Sequence, residues 1–155
     1  MMRNQIGVKG FVTVEMYERG ELIQRKDITN LVTDLGKEFF AAKIFETPFD
    51  SDGFVDIQEL PFINDIGIGS GSTPPLTANT ELATELERLP IIQENLDGNE
   101  ITYFTEFIEE VGTGQVNEVG LFLNDGTMVC RTLLQEPFNK TPERFINVTW
   151  RLVIG

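Results

Sequence analysis

The residues best spaced for chemistry are Gly67, Gly69 and Gly71, in the run Gly67-Ile68-Gly69-Ser70-Gly71-Ser72-Thr73-Pro74-Pro75. Backbone N–H groups free of side chains can cradle an anion such as a phosphate. A Walker loop would add Lys and Ser or Thr and then open a helix, whereas here Pro74 and Pro75 stand where that helix would begin. The run therefore reads as a turn or contact loop. Asp50, Asp52 and Asp56 flank Gly53 and gather carboxylates as a hard cation would require. Their spacing is not that of a calcium loop, which needs three acidic or amide ligands ahead of its glycine and a glutamate six residues after it, so a solvated loop accounts for them. Glu109 with Glu110, and Glu85 with Glu87, are the pairs that glycoside hydrolysis would use, and they read as surface residues flanking strands. Cys130 is the sole cysteine and there is no histidine to activate it, so it reads as a small buried hydrophobe. Trp150, amid alternating apolar residues, reads as core. No catalytic, cofactor-binding or metal-binding residue is assigned, and an enzyme is not expected.

Composition narrows the function classes further. The 155 residues carry 12 Lys and Arg against 25 Asp and Glu, a formal charge of −13. A nucleic-acid-binding module needs a cationic surplus to release phosphate counterions, and this chain has the opposite. The same balance disfavours docking on anionic membranes. Zero histidines exclude Ser-His-Asp and Cys-His systems and His-ligated metals, and one cysteine excludes an intramolecular disulfide. The fold must rest on its apolar core. No window reaches the ~18 apolar residues of a membrane span, and no apolar leader run follows Met1, so a soluble protein made in a cytoplasm is expected.

The elements that must position these residues are legible in the periodicity. Ile6 to Tyr17 alternates, with Ile6, Val8, Val12, Val14 and Met16 on one face. Arg19-Gly20 turns it into a second strand, Glu21 to Asp27. Thr29 or Asn30 is a fitting N-cap for a helix over 30–45 carrying Leu31, Val32, Leu35, Phe39 and Ala42, ended by Thr47-Pro48. Residues 48–61 read as an exposed acidic loop and Phe62 to Ile68 as a buried strand. Asn79 to Leu82 suggests one helical turn, and Glu85 to Asn95 a strand that Asp97-Gly98 folds back onto Glu100 to Glu109. Gln115 to Leu123 and Thr127 to Leu134 flank Asn124-Asp125-Gly126, where a primed two-residue turn is expected. Arg144 to Ile154 closes the chain, with Ile146, Val148, Trp150, Leu152 and Ile154 on one face. The sum is a mainly β protein, an antiparallel β-sandwich of about eight strands with one helix near the N-terminal third, forming one domain over residues 1–155.

Three pieces in this order carry a resemblance. They are Asn30-Leu31-Val32-Thr33-Asp34-Leu35-Gly36; then Ile66 to Pro74 with Asn79-Thr80-Glu81-Leu82 and Glu85-Leu86-Glu87-Arg88; then Asn117-Glu118-Val119-Gly120-Leu121-Phe122, Gly126 to Arg131 and Val148 to Leu152. Together, over residues 20–154, the chain resembles virion structural proteins of tailed bacteriophages, in particular tail-fibre and tail-collar modules. The resemblance implies a β-rich module of the tail, baseplate, neck or collar that works through protein–protein contacts with other virion proteins. It also implies a homo-oligomer such as a trimer or hexamer, or a symmetric array in the particle, with no direct contact to nucleic acid or membrane. Ending at Gly155 without Gly-X-Y, heptad or shaft repeats, the sequence favours a compact connector or surface module over an elongated fibre. A capsid decoration protein, of cement or head-fibre type, and a carbohydrate-binding module for host recognition are the alternatives. High negative charge would keep free copies apart until a complementary surface is met. The expected contact surfaces are Gly67, Gly69, Gly71, Pro74 and Pro75 in one loop and Phe49, Asp50, Asp52 and Phe54 in another.

Overall fold

The computed structural model describes residues 6–44 and 61–155. Among them are ten strands and one helix: β1 Val8–Glu18, β2 Glu21–Thr29, β3 Leu31–Val32, α1 Asp34–Ile44, β4 Ile63–Gly69, β5 Glu85–Pro90, β6 Gln93–Asp97, β7 Glu100–Phe107, β8 Gly114–Leu123, β9 Met128–Lys140 and β10 Arg144–Ile154. They form two five-stranded antiparallel sheets, the first in the order β2-β1-β10-β7-β6 and the second β3-β9-β8-β4-β5. The mainly β fold with two sheets and one helix is the expected class. The strands number ten rather than eight for two reasons. Leu31-Val32 pairs with Cys130 and Arg131 instead of opening the helix. The expected single strand Glu85 to Asn95 breaks into β5 and β6, which lie in different sheets.

That break has a visible backbone cause. Pro90 has no N–H to continue the ladder, and the two amides after it diverge: Ile91 N–H donates to Asn64 O at 2.8 Å, Ile92 N–H to Phe104 O at 2.9 Å. One bond points to each sheet, so the chain crosses there. The helix begins at Asp34, because Thr33 rather than Thr29 or Asn30 is the cap: its Oγ1 accepts from Gly36 N–H at 3.0 Å. Asp34 in the first turn and Lys43 in the last both suit the helix dipole. The expected helical turn at Asn79 to Leu82 is absent; Asn79 N–H closes a turn onto Leu76 O instead.

Turn chemistry sets the registers. Arg19 (φ 52°) and Gly20 (φ 79°) both lie in the left-handed region, as a type I′ hairpin needs. After β8, only Gly126 (φ 91°) does so, and Gly126 N–H bonds Leu123 O while Leu123 N–H bonds Thr127 O. This is a three-residue loop, a type I turn followed by a left-handed glycine, and not the expected primed two-residue turn. β9 also runs past its expected end at Leu134: Gln135 at φ 68° marks a bulge, after which Phe138 pairs with Val116 and Lys140 with Gly114.

The core lies between the sheets. Val12, Val14 and Met16 of β1 face Ile146, Val148, Trp150 and Leu152 of β10 across the register, with Tyr103 and Phe107 of β7 beside them. Ile66, Ile68, Val119, Leu121 and Cys130 fill the core from the second sheet. Trp150 is fully buried, and its Nε1 donates to Asn30 Oδ1 at 2.9 Å, which fixes the segment entering β3.

Candidate functional site

The outer face of the second sheet is covered, and the residues that cover it are largely those of the three ordered sequence pieces. Gly67 and Gly120 are cross-strand partners, and a Cβ on either would meet the Phe122 ring at 2.8 or 2.9 Å. The glycines let that ring lie on the sheet, where Leu82 and Met128 join it in a second, smaller core. Arg88 stacks on the ring, its guanidinium carbon 3.6 Å from the centroid. Residues 70–84 are held over this face by a buried ion pair. Glu118, fully buried, accepts from Ala83 N–H at 2.7 Å and Thr84 N–H at 3.2 Å, and faces Arg131 Nε at 3.5 Å. Arg131, 1% exposed, donates through its Nη atoms to Thr73 O at 2.9 Å and Asn79 Oδ1 at 3.2 Å. Asp34 N–H donates to Thr77 O, tying this cover to the start of α1.

This placement corrects the reading of the glycine run. Gly67 and Gly69 belong to β4, and both they and Gly71 are buried against Phe122, Thr84 and Glu118. Their missing side chains make room for neighbours within the chain, so they offer no surface to a partner or an anion. Pro74 is exposed and Pro75 half-buried in the covering loop. The second expected surface, Phe49, Asp50, Asp52 and Phe54, lies outside the described residues. Residues 137–140 are part of β9. Sequence reasoning missed the pairing of Glu118 with Arg131, whose only signal was one acid and one base within the apolar middle stretches of two strands.

Among the described residues a concavity lies elsewhere, at the end of the sandwich where β1, β4 and β7 begin and β10 finishes. It is a cavity of about 640 Å³ walled by Phe39 and Phe40 of α1 on one side and by Val8, Ile101 and Leu152 of the first sheet on the other. Phe62, Ile92 and Ile154 stand at it with 48%, 60% and 44% of their surfaces exposed. Lys43, Asn64, Glu94 and Tyr103 supply its polar groups. Burial, reinforced by the Glu94 carboxylate, pushes the Tyr103 hydroxyl up, so it stays a neutral hydrogen-bonding group. The lining holds a phenol, a carboxylate, an ammonium and the side-chain amides of Asn64 and Gln93 among mostly apolar residues, an arrangement suited to binding apolar groups. Both Ile92 and Phe62 fall in strands expected from the sequence; the crossing at Pro90 leaves Ile92 between β5 and β6, and Phe62 precedes β4.

A second groove runs over the outer face of the first sheet, lined among others by Phe11, Thr13, Asp27, Thr102, Thr149 and Arg151. Arg151 stacks on Phe11 at 4.7 Å, and Thr13 donates to Asp27 at 2.6 Å. The Thr13 and Arg25 hydrogen bonds hold the Asp27 carboxyl below its ordinary value. Cys130 is fully buried, and burial pushes its thiol up, away from the thiolate that reactivity needs. Among the described residues no group of His, Cys, Asp or Glu gathers as a metal site, and no helix is long and apolar enough to cross a membrane. No family model, curated protein or solved structure matches the chain.

Proposed function

We propose that this chain is a structural component of a tailed-bacteriophage particle, in the tail, baseplate, neck or collar, acting through contacts with other virion proteins. The observation that carries the contact role is the open apolar cavity between α1 and the first sheet, around which Phe62, Ile92 and Ile154 remain exposed. Exposed aliphatic and aromatic residues grouped at one concavity suit a partner's side chains, because covering them removes apolar area from water. The virion setting rests on the three ordered sequence pieces. Gradient-purified particles probed for this chain by mass spectrometry test it: a fixed, low stoichiometry relative to the shell protein is expected, and absence would overturn it. A copy number in the hundreds would instead favour capsid decoration.

A second reading, recognition of host glycans, draws on the groove of the first sheet, where an aromatic ring, two guanidinium groups and four threonine hydroxyls come together. Sugars use such faces through stacking and hydrogen bonds. A glycan array with no binding above background disposes of this reading.

A further inference from the structure

We propose that the two edges of the first sheet that no other strand pairs among the described residues are the halves of one interface between copies of this chain, the β6 edge of one copy taking the β2 edge of the next. β9 hydrogen-bonds to the β2 edge only through Thr132 Oγ1 to Thr29 O and Gln24 Nε2 to Pro137 O. The inference deepens the structural-protein reading above, on which it rests for its setting, by making the partner a second copy. The order β2-β1-β10-β7-β6 is antiparallel throughout, so its first and fifth strands run in the same direction. A neighbour that continues the sheet therefore sets its β2 parallel to β6. Both edges carry exposed aliphatic residues, Leu22 and Ile23 on β2, and Ile92 beside and Leu96 on β6, the last 73% exposed. All five residues of β6 are exposed, which leaves the outer edge of its backbone free to pair.

One register satisfies charge and apolar pairing together. Lys26 and Ile28 lie level with Val14 and Val12, on the core side of the sheet; Glu94 and Leu96 lie level with Tyr103 and Ile101, on that same side. Setting Lys26 beside Glu94 brings Ile28 beside Leu96. On the outer side it brings Arg25 to Gln93, Asp27 to Asn95 and Thr29 to Asp97, and no like charges meet. The symmetric alternative, β6 against β6, gathers Glu94 and Asp97 from each copy with no cation in either strand. A head-to-tail contact of this kind repeats, and generates a ring if the rotation closes.

The test is light scattering coupled to size exclusion on the full chain, over concentrations up to about 1 mM, the range of weak self-association. Assembly beyond the 17.5 kDa chain mass is expected. Lys26→Glu alone and Glu94→Lys alone each place like charges at the contact and should raise the half-assembly concentration about tenfold or more. Their equimolar mixture restores opposite charges at both contacts and should assemble like the parent. That rescue also shows that both variants fold. A parent that stays monomeric, either variant assembling as the parent does, or a mixture that fails to rescue overturns the proposal. A monomer found in purified particles would remove this interface and leave the virion reading; self-assembly in a chain absent from particles would do the reverse.

Discussion

Replacing Glu118 with alanine is the sharpest perturbation of the covered face. The carboxylate is fully buried, Arg131 opposite it is 1% exposed, and Arg131 Nε has no hydrogen-bond partner, so its ion pair with Glu118 at 3.5 Å is what offsets its charge. Truncation leaves a guanidinium buried without its counter-charge, and breaking such a pair by removing one partner costs about 3–5 kcal/mol. The amides of Ala83 and Thr84 lose their acceptor as well, which adds to the cost. For a domain of this size that cost lowers the melting temperature by roughly 6–20 °C. Urea unfolding followed by the fluorescence of Trp150, the only tryptophan, measures it. A double-mutant cycle with Arg131→Met should show coupling above about 1 kcal/mol, because the second substitution removes the charge that the first left unpaired. A Glu118→Ala cost below about 1 kcal/mol, the level of an exposed pair, would refute the assignment of this ion pair as the clamp on residues 70–84.

Gly67→Ala sets a methyl 2.8 Å from the Phe122 ring, and overpacking of this kind should destabilise the fold by about 1–3 kcal/mol in the same urea assay. Trp150→Phe removes the Nε1 donor to Asn30 Oδ1 and shrinks a fully buried ring, and should cost about 1–3 kcal/mol, read by the midpoint of thermal unfolding followed by circular dichroism. Asp27 has a folded pKa below its unfolded one, so its contribution is present above the unfolded value near 4 and lost as pH falls through the folded value. Asp27→Asn should therefore flatten the acid side of the stability curve below about pH 4 and leave its shape near neutrality unchanged. Cys130 should stay inert to a thiol reagent in buffer and react promptly in urea; fast labelling of the folded chain would contradict its burial.

The strands that alternate cleanly were legible in the sequence for a physical reason. In β1 and β10 every second residue faces one core, so Val12, Val14, Met16 and Ile146, Val148, Trp150, Leu152 announce their own burial. β8 and β9 are buried on both faces over much of their length, which erases alternation and hides the outer cover of residues 70–84. The glycine run was misread for the same reason. A glycine that admits a neighbouring ring and a glycine that makes a turn look alike until the ring is placed, and Phe122 lies more than fifty residues from Gly67. The split between β5 and β6 was signalled by Pro90, which forbids a continuous central strand, though nothing local says that the chain changes sheets there. The cavity was not legible at all, since it exists only where α1, four strand ends and that crossing meet.

Cross-linking mass spectrometry on intact, purified particles tests the account's central claim most directly. Lys43, at the cavity between α1 and the first sheet, is the amine placed to report on a partner seated there. The account predicts that the chain is present and that Lys43 forms cross-links to another virion protein. Particles without the chain, or particles in which Lys43 is modified by the reagent as freely as in the isolated protein and links to nothing, would contradict it.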